Sequence, residues 1–252
     1  MKILLTGAQG FLGGRVLDFL IEANHSVRAV VRRPAPELAK RGVEVFTADL
    51  RQSEMLGPAV EGLDGIIHCA AKSGVWGSLN DFIEANTLST FNLLNAARQA
   101  GLGWFVHTSS PSVVHTGRPL NGVDESAPYT ADPRFGYPYS KMLAEKIVLA
   151  ANGPSFRTTA LRPHLIWGPG DPHFLPRLTA KARSGRLRLL KSAALVDGTY
   201  IDNAARALFL AAEKMMAGEA ETIGGRAYFI VQGEPLTAAD LLQYILEAVS
   251  PP

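Results

Sequence analysis

The chain has 252 residues, 47% of them hydrophobic and 19% charged, with a formal net charge of +2. That size and balance suit one large α/β domain or a main domain with a small appendage, and the charge is too small to argue for nucleic acid or an anionic membrane as partner. A lone cysteine, Cys69, excludes an internal disulfide framework and any Cys-based zinc cluster.

Strands and helices are expected to alternate from the first residue. Residues 2–6 read as a short apolar strand, and residues 10–22 carry helical spacing at Phe11, Leu12, Val16, Phe19 and Leu20. Residues 27–31 and 43–46 read as the next strands, and a helix follows near 52–60. Strands at 66–69 and 105–108 flank a long helix over about 79–100, then come a helix over 137–151 and a strand at 158–161. This βαβ rhythm requires a parallel sheet with right-handed crossovers.

Beyond Arg162-Pro163 the pattern loosens. The turn cluster Gly168-Pro169-Gly170-Asp171-Pro172 precedes a helix around 174–184 and strand-like pieces near Leu187 and Tyr200. Asp202 is placed to cap a helix running to about 216, residues 228–231 read as a last strand, and Thr237 caps a final helix. The expected division is a dinucleotide-binding domain over 1–162 and mainly a substrate lobe over 163–252, with some segments returning to the core. The opening Met1-Lys2-Ile3-Leu4-Leu5 is too short for a signal peptide and no apolar run reaches 18 residues, so the expectation is a soluble, cytoplasmic chain. Cys69, among Ile66, Ile67, Ala70 and Ala71, reads as packing, and Arg183-Ser184-Gly185-Arg186-Leu187-Arg188 as a solvated helix end.

Three motifs carry chemistry. Gly7, Gly10 and Gly13 lie in Thr6-Gly7-Ala8-Gln9-Gly10-Phe11-Leu12-Gly13, between the first strand and first helix. Such a turn lets the backbone approach a pyrophosphate at the positive helix N-terminus. After the second strand comes Val31-Arg32-Arg33-Pro34, with basic residues where an acid would bind a ribose 2′-hydroxyl. The arginines therefore predict NADP(H) over NAD(H), with NAD(H) retained as the alternative. Tyr137 and Lys141 stand four residues apart, so a phenol and an ammonium share one helix face. The ammonium is expected to lower the phenol's pKa, readying Tyr137 to exchange a proton with a carbonyl or hydroxyl while Ser110 bonds the same oxygen. Tyr139 falls outside that spacing and reads as packing or pocket lining. Trp76 reads as channel lining or loop anchor, and His164 as pocket residue or turn cap. His107, His115 and His173 show no metal-ligand spacing, so no metal site is expected.

Taken together, these residues resemble the extended short-chain dehydrogenase/reductases. The Gly-rich turn, Asp49-Leu50, His68-x-Ala70-Ala71, Ser110 and Tyr137-x-x-x-Lys141 match in order, over about residues 1–231. The resemblance implies a Rossmann-type doubly wound parallel sheet with a small C-terminal substrate lobe. It assigns Ser110, Tyr137 and Lys141 to catalysis, with Asn86 in the helix that supports them. Gly7, Gln9, Gly10, Phe11, Leu12, Gly13, Asp49, Leu50, Ala70, Ala71, Lys72 and Pro163 would line the cofactor, with Asp49 and Leu50 at the adenine and Pro163 near the nicotinamide. Within that superfamily, Thr108-Ser109-Ser110-Pro111-Ser112-Val113-Val114, Leu161-Arg162-Pro163-His164 and Tyr200-Ile201-Asp202-Asn203 resemble the 3β-hydroxysteroid dehydrogenase branch. Ala71-Lys72-Ser73-Gly74-Val75-Trp76-Gly77 and Gly225-Arg226-Ala227-Tyr228-Phe229-Ile230 look like its bacterial members that reduce 2-alkyl-3-oxoalkanoic acids in olefin biosynthesis. Family members continue beyond the last helix, and segment 190–200 departs from their Gly-rich pattern. A small apolar ketone or alcohol as substrate and a homodimer through the helices at 79–100 and 137–151 follow from the same likeness. The competing readings are a nucleotide-sugar epimerase or dehydratase and a non-catalytic redox-sensing dinucleotide binder.

Overall fold

The apolar run after Met1 forms β1 (Lys2–Thr6), and its alternation sends Ile3 and Leu5 to one face of a sheet and Leu4 to the other. In the computed structural model, which describes residues 1–74, 76–115, 117, 120, 122–130, 132–172, 174–184 and 195–249, the first half continues the expected rhythm. Helix α1 (Phe11–Glu22) and β2 (Ser26–Val31) are followed by a short α2 (Pro36–Ala39) that the sequence reading did not include. Then come β3 (Glu44–Thr47), a 3₁₀ turn (Ser53–Met55), α3 (Leu56–Val60) and β4 (Gly65–His68).

The long helix expected over 79–100 is not continuous. It starts as α4 (Leu79–Phe82) under a capping box in which Ser78 and Asp81 exchange backbone-to-side-chain bonds, passes through a π-helical turn (Ile83–Leu88), and resumes as α5 (Ser89–Gln99). Such bulges insert one residue into the helical ladder and recur at functional sites. Next are β5 (Trp104–Thr108), a 3₁₀ turn (Pro111–Val114), α6 (Gly136–Ala150) and β6 (Arg157–Pro163), the last extending past the expected strand at both ends.

Among the described residues the main sheet has seven strands, with a late strand β10 (Ala227–Ile230) at one edge, in the order β10-β6-β5-β4-β1-β2-β3, all parallel. It is the doubly wound, Rossmann-like arrangement, and the reversal of strand order falls between β1 and β4. One face packs Ile3, Leu5 and Val106 against α1 and the later helix α8 (Ile201–Met216), through Val16, Leu20 and Leu208. The other packs Leu4, Ile66 and Phe105 against α3, α5 and α6, through Leu56, Leu93 and Val148.

After β6 the chain forms β7 (Ile166–Trp167), α7 (Phe174–Arg183), β8 (Leu195–Val196), β9 (Thr199–Tyr200) and α8 (Ile201–Met216). It ends with α9 (Ala220–Ile223), β10 (Ala227–Ile230), β11 (Leu236–Thr237) and α10 (Ala238–Val249). β10 returns to the edge of the main sheet beside β6, whereas β7 pairs with β9 and β8 with β11. A separate cluster of Leu178, Leu241 and Ile245 joins α7 to α10. Thr237 caps α10 as expected, its hydroxyl accepting from the Asp240 amide at 3.1 Å. Asp202 does not cap α8: Tyr200 precedes that helix, and the Asp202 carboxylate instead takes a two-pronged bond from Arg15 of α1 at 2.7 and 3.1 Å. The strand expected near Leu187, most of the Arg-rich stretch and His173 lie outside the described residues.

Candidate active site

The C-terminal ends of β1, β4, β5 and β6 bring the motif residues to one edge of the sheet. At β1, Gly7 has φ +73, a backbone that only glycine adopts without strain, and a Cβ there would stand 2.9 Å from the Ala70 amide nitrogen. A Cβ on Gly13 would collide with the Gly7 carbonyl, so α1 closes directly onto the turn. Gly10 precedes α1 with no side-chain cap, leaving the first-turn amides for a ligand. This cradle fits a pyrophosphate. Phe11 faces Gly170 across the mouth, and Leu12 packs partly buried against the core. Gln9 donates to Glu37 at 2.8 Å, an acid of the unexpected helix α2 that the sequence reading left out.

Arg32 and Arg33 are exposed beyond β2, and the charge of Arg32 acts on Asp49. The Asp49 carboxylate is gripped by Arg51 through Nε at 3.0 Å and Nη2 at 2.6 Å, and that bond holds its pKa below the usual carboxylate range. The Leu50 carbonyl accepts from Asn92 at 3.1 Å, tying β3's exit to α5. Ala70 donates its amide to Thr6 Oγ1 at 3.0 Å, and Ala71 follows it at the surface. Lys72 is held by its backbone, because Asn86 Oδ1 accepts from its amide at 2.7 Å and Asn86 Nδ2 donates to its carbonyl at 3.0 Å. The Lys72 ammonium lies 5.0 Å over the Phe82 ring and pairs with Asp81 at 3.1 Å.

Ser110 stands just beyond β5 and Tyr137 in the first turn of α6, with Lys141 one turn further along that helix. Ser110 leads the 3₁₀ turn after β5, its hydroxyl accepting from the Ser112 amide at 3.2 Å. Burial pushes the Tyr137 phenol up, and the bond from Ser110 pulls the other way. Lys141 does not lower it as expected. Its ammonium is buried, donates to the Thr108 carbonyl and lies 3.4 Å from His107 Nε2. Desolvation lowers Lys141 to about 8, against the opposing pull of Glu145.

Asn86 sits in the π-helical turn, fully buried, and its amide is used up by Lys72 and by a 2.9 Å bond to Ser140 Oγ. Ser140 in turn donates to the Tyr137 carbonyl at 2.9 Å. Asn86 thus reaches the helix that carries the phenol and orders it, without facing the phenol itself. Pro163 closes β6 buried, with the next amide, His164, bonded to the Ile230 carbonyl. His164 Nδ1 donates to the Asp197 carbonyl at 2.8 Å. Trp76 is 87% exposed. Tyr139 packs with Val113, Val114 and Met142. Cys69, bonded by Thr108 Oγ1 at 3.3 Å, is pushed up to about 11 by burial and is unreactive as a thiolate near neutral pH. Among the described residues no group of His, Cys, Asp and Glu could hold a metal ion, and no helix is long and apolar enough to cross a membrane.

Two buried groups escaped the sequence reading. Glu145, on the same face of α6 as Lys141, is paired with Arg162 of β6 at 2.6 Å and accepts from Tyr129 at 2.6 Å. His68 and His107, side by side on β4 and β5, stack with ring centroids 5.5 Å apart beneath Lys141.

Fold and relatives together show an NAD(P)-dependent oxidoreductase of the extended short-chain dehydrogenase/reductase class, acting on CH–OH groups. The comparisons with known proteins carry this one step further. The profile of the 3-beta hydroxysteroid dehydrogenase/isomerase family matches residues 4–250, and the chain belongs to that family. It is 46% identical to a 2-alkyl-3-oxoalkanoate reductase of Stenotrophomonas maltophilia, over 100% of this chain and 77% of that protein. A protein of the same name from Shewanella oneidensis is 40% identical over 96% of this chain and 64% of its own length. Among solved structures, MoeE5 in complex with UDP-glucose and NAD superposes with a TM-score of 0.81 at 26% identity, over 99% of this chain and 82% of that one.

Proposed function

We propose that the protein is an NADP(H)-preferring reductase that interconverts a ketone and a secondary alcohol on an apolar acid of the 2-alkyl-3-oxoalkanoate type. The observation that carries this reading is a convergence at the end of β5: the Lys141 ammonium donates to the Thr108 carbonyl, Ser110 follows two residues on, and Tyr137 stands one helical turn before Lys141 on α6. In the ketone-reducing direction Tyr137 gives its proton to the substrate oxygen, and Ser110 bonds that oxygen as negative charge develops on it. Lys141 supplies the buried positive charge and would hold the ribose of the bound cofactor. The Gly7–Gly13 turn would hold the pyrophosphate, Ala70 and Ala71 the middle of the cofactor, and Pro163 the nicotinamide end. When bound, the reduced nicotinamide supplies the hydride.

The test follows nicotinamide absorbance while the protein oxidises a 2-alkyl-3-hydroxyalkanoic acid with NADP⁺. Turnover supports the reading, whereas silence with intact NADPH binding removes this substrate. The rival reading, a nucleotide-sugar epimerase or dehydratase, is favoured by the superposition on MoeE5; protein that purifies with NAD bound and turns over a nucleotide sugar would establish it. The identity to the two reductases outweighs that likeness in fold.

Cofactor choice rests on Arg32 and Arg33, both free to meet a 2′-phosphate beyond β2. Arg32→Asp and Arg33→Asp are expected to weaken NADPH binding roughly ten- to a hundredfold, the scale of a lost charged hydrogen bond, with little effect on NADH. Fluorescence titration of both cofactors decides it, and equal losses would assign these arginines to surface solvation only. We also propose a homodimer through the α5–α6 face, where Leu88 and Phe91 stand exposed; a monomer by light scattering at micromolar concentration would refute it.

A further inference from the structure

His68 is 1% exposed and both ring nitrogens are engaged. Nδ1 lies 2.7 Å from Thr6 Oγ1, and Nε2 lies 3.0 Å from Thr90 Oγ1. On the far sides, Thr6 Oγ1 accepts from the Ala70 amide at 3.0 Å and Thr90 Oγ1 donates to the Asn86 carbonyl at 2.6 Å. A hydroxyl has one proton, so only one arrangement satisfies every contact. Thr90 spends its proton on Asn86 and must accept from His68 Nε2–H. Nδ1 is therefore the bare nitrogen, and Thr6 donates to it. The result is a chain of hydrogen bonds with a fixed direction. It runs from the Ala70 amide through Thr6 to the imidazole, and on through Thr90 to the π-helical turn. From there the Asn86 amide continues through Ser140 to the Tyr137 carbonyl.

We propose that His68 is a positioning residue with two separable arms. Its Nδ1 arm fixes the Thr6–Ala70 ledge where the cofactor lies, and its Nε2 arm fixes the π-helical turn that orders the Tyr137 helix. The proposal rests on the function proposed above for the meaning of those two ends. Burial, aided by the nearby Lys141 charge, keeps the imidazole neutral, pushed down to about 3, so the bare nitrogen persists at any working pH. The stacked His107 sits on the Lys141 side and takes no part in the chain.

The test uses the two amides that each copy one nitrogen. His68→Asn places an acceptor near the Nδ1 position and loses the reach to Thr90, whereas His68→Gln places a donor near Nε2 and loses the acceptor for Thr6. NADPH affinity by fluorescence titration reads the first arm, and hydrogen exchange of peptides covering residues 83–90 reads the second. His68→Gln is expected to raise the NADPH dissociation constant about three- to tenfold, the scale of one unmade buried bond, and more than His68→Asn does. His68→Asn is expected to speed exchange at 83–90 by a similar factor, and more than His68→Gln does. Equal effects on both readouts, or the crossed pattern reversed, would overturn the two-arm assignment. Should either imidazole variant fail to fold, Thr6→Val and Thr90→Val cut the same arms singly and must give the same split. If the wild type binds NADPH but turns over none of the proposed substrate, the substrate reading fails while these two readouts still decide the role of His68.

Discussion

Replacing Tyr137 with Phe is expected to lower kcat by about 10²–10⁴-fold, the range that a positioned proton donor contributes, and to leave the NADPH dissociation constant close to its starting value. The phenol stands one helical turn before the buried Lys141 ammonium, and Phe keeps the ring that meets Phe82 at 6.4 Å, so packing survives the change. A stopped-flow hydride-transfer measurement with a parallel cofactor titration checks both halves. Retained turnover would remove Tyr137 from its role, and a large loss of affinity would mean that the phenol holds cofactor rather than proton. The pH dependence follows from the directions of the shifts. Burial raises Tyr137, so it remains protonated and able to donate through the neutral range, whereas Lys141 is lowered to about 8 and loses its charge first as pH rises. The kcat/KM for NADPH, which reports the free enzyme, should therefore fall with an alkaline limb near pH 8. In Lys141→Arg, whose charge persists at high pH, that limb should vanish even if the activity that remains is low.

How much of this was legible in the sequence depended on distance along the chain. The Gly-rich turn, Tyr137 and Lys141 are local patterns whose meaning is fixed by a strand before them or a helix around them, and the parallel order of β1 to β6 followed from their alternation. The π-helical turn at Ile83–Leu88 was not legible, because the residues of that segment fit an ordinary amphipathic helix and only the Asn86 and Thr90 contacts reveal the inserted residue. The histidine pair was equally hidden. His68 and His107 are 39 apart in sequence and become neighbours only once β4 and β5 lie in parallel register. The expected effect of Lys141 on Tyr137 failed for a related reason. Helical spacing places two groups on one face but says nothing of what else a buried ammonium will bond, and here the Thr108 carbonyl and His107 claim it. Asp202 lies in the first turn of α8, but its carboxylate is taken by Arg15 of α1, a partner far away in sequence that no local pattern reveals.

Arg162→Met is expected to be the most destabilising single change outside the sheet core. Arg162 is 2% exposed and Glu145 is fully buried, and their 2.6 Å contact joins β6 to α6 one turn beyond Lys141. The guanidinium also lies 5.5 Å over Tyr129 and 5.0 Å over Phe229, so its removal opens a space between α6, β10 and the loop before α6. Deleting one partner of a buried pair leaves the other charge without compensation, at a cost of about 3–5 kcal/mol. For a chain of this length that corresponds to a fall in Tm of roughly 6–20 °C. The double change Arg162→Met with Glu145→Leu removes both charges and fills the space with apolar atoms, and it is expected to regain most of that loss. It would also leave the Tyr129 hydroxyl, whose pKa is held at about 12 by burial and by its bond to Glu145, without its acceptor, so recovery is incomplete unless Tyr129→Phe is added. Chemical denaturation of the single, double and triple variants measures the coupling directly. A single variant as stable as the wild type would mean that the pair contributes nothing to holding α6. In that case the charge of Glu145, one turn from the Lys141 ammonium, must matter for the site rather than for the fold, and the alkaline limb near pH 8 should move to lower pH when Glu145 is neutralised.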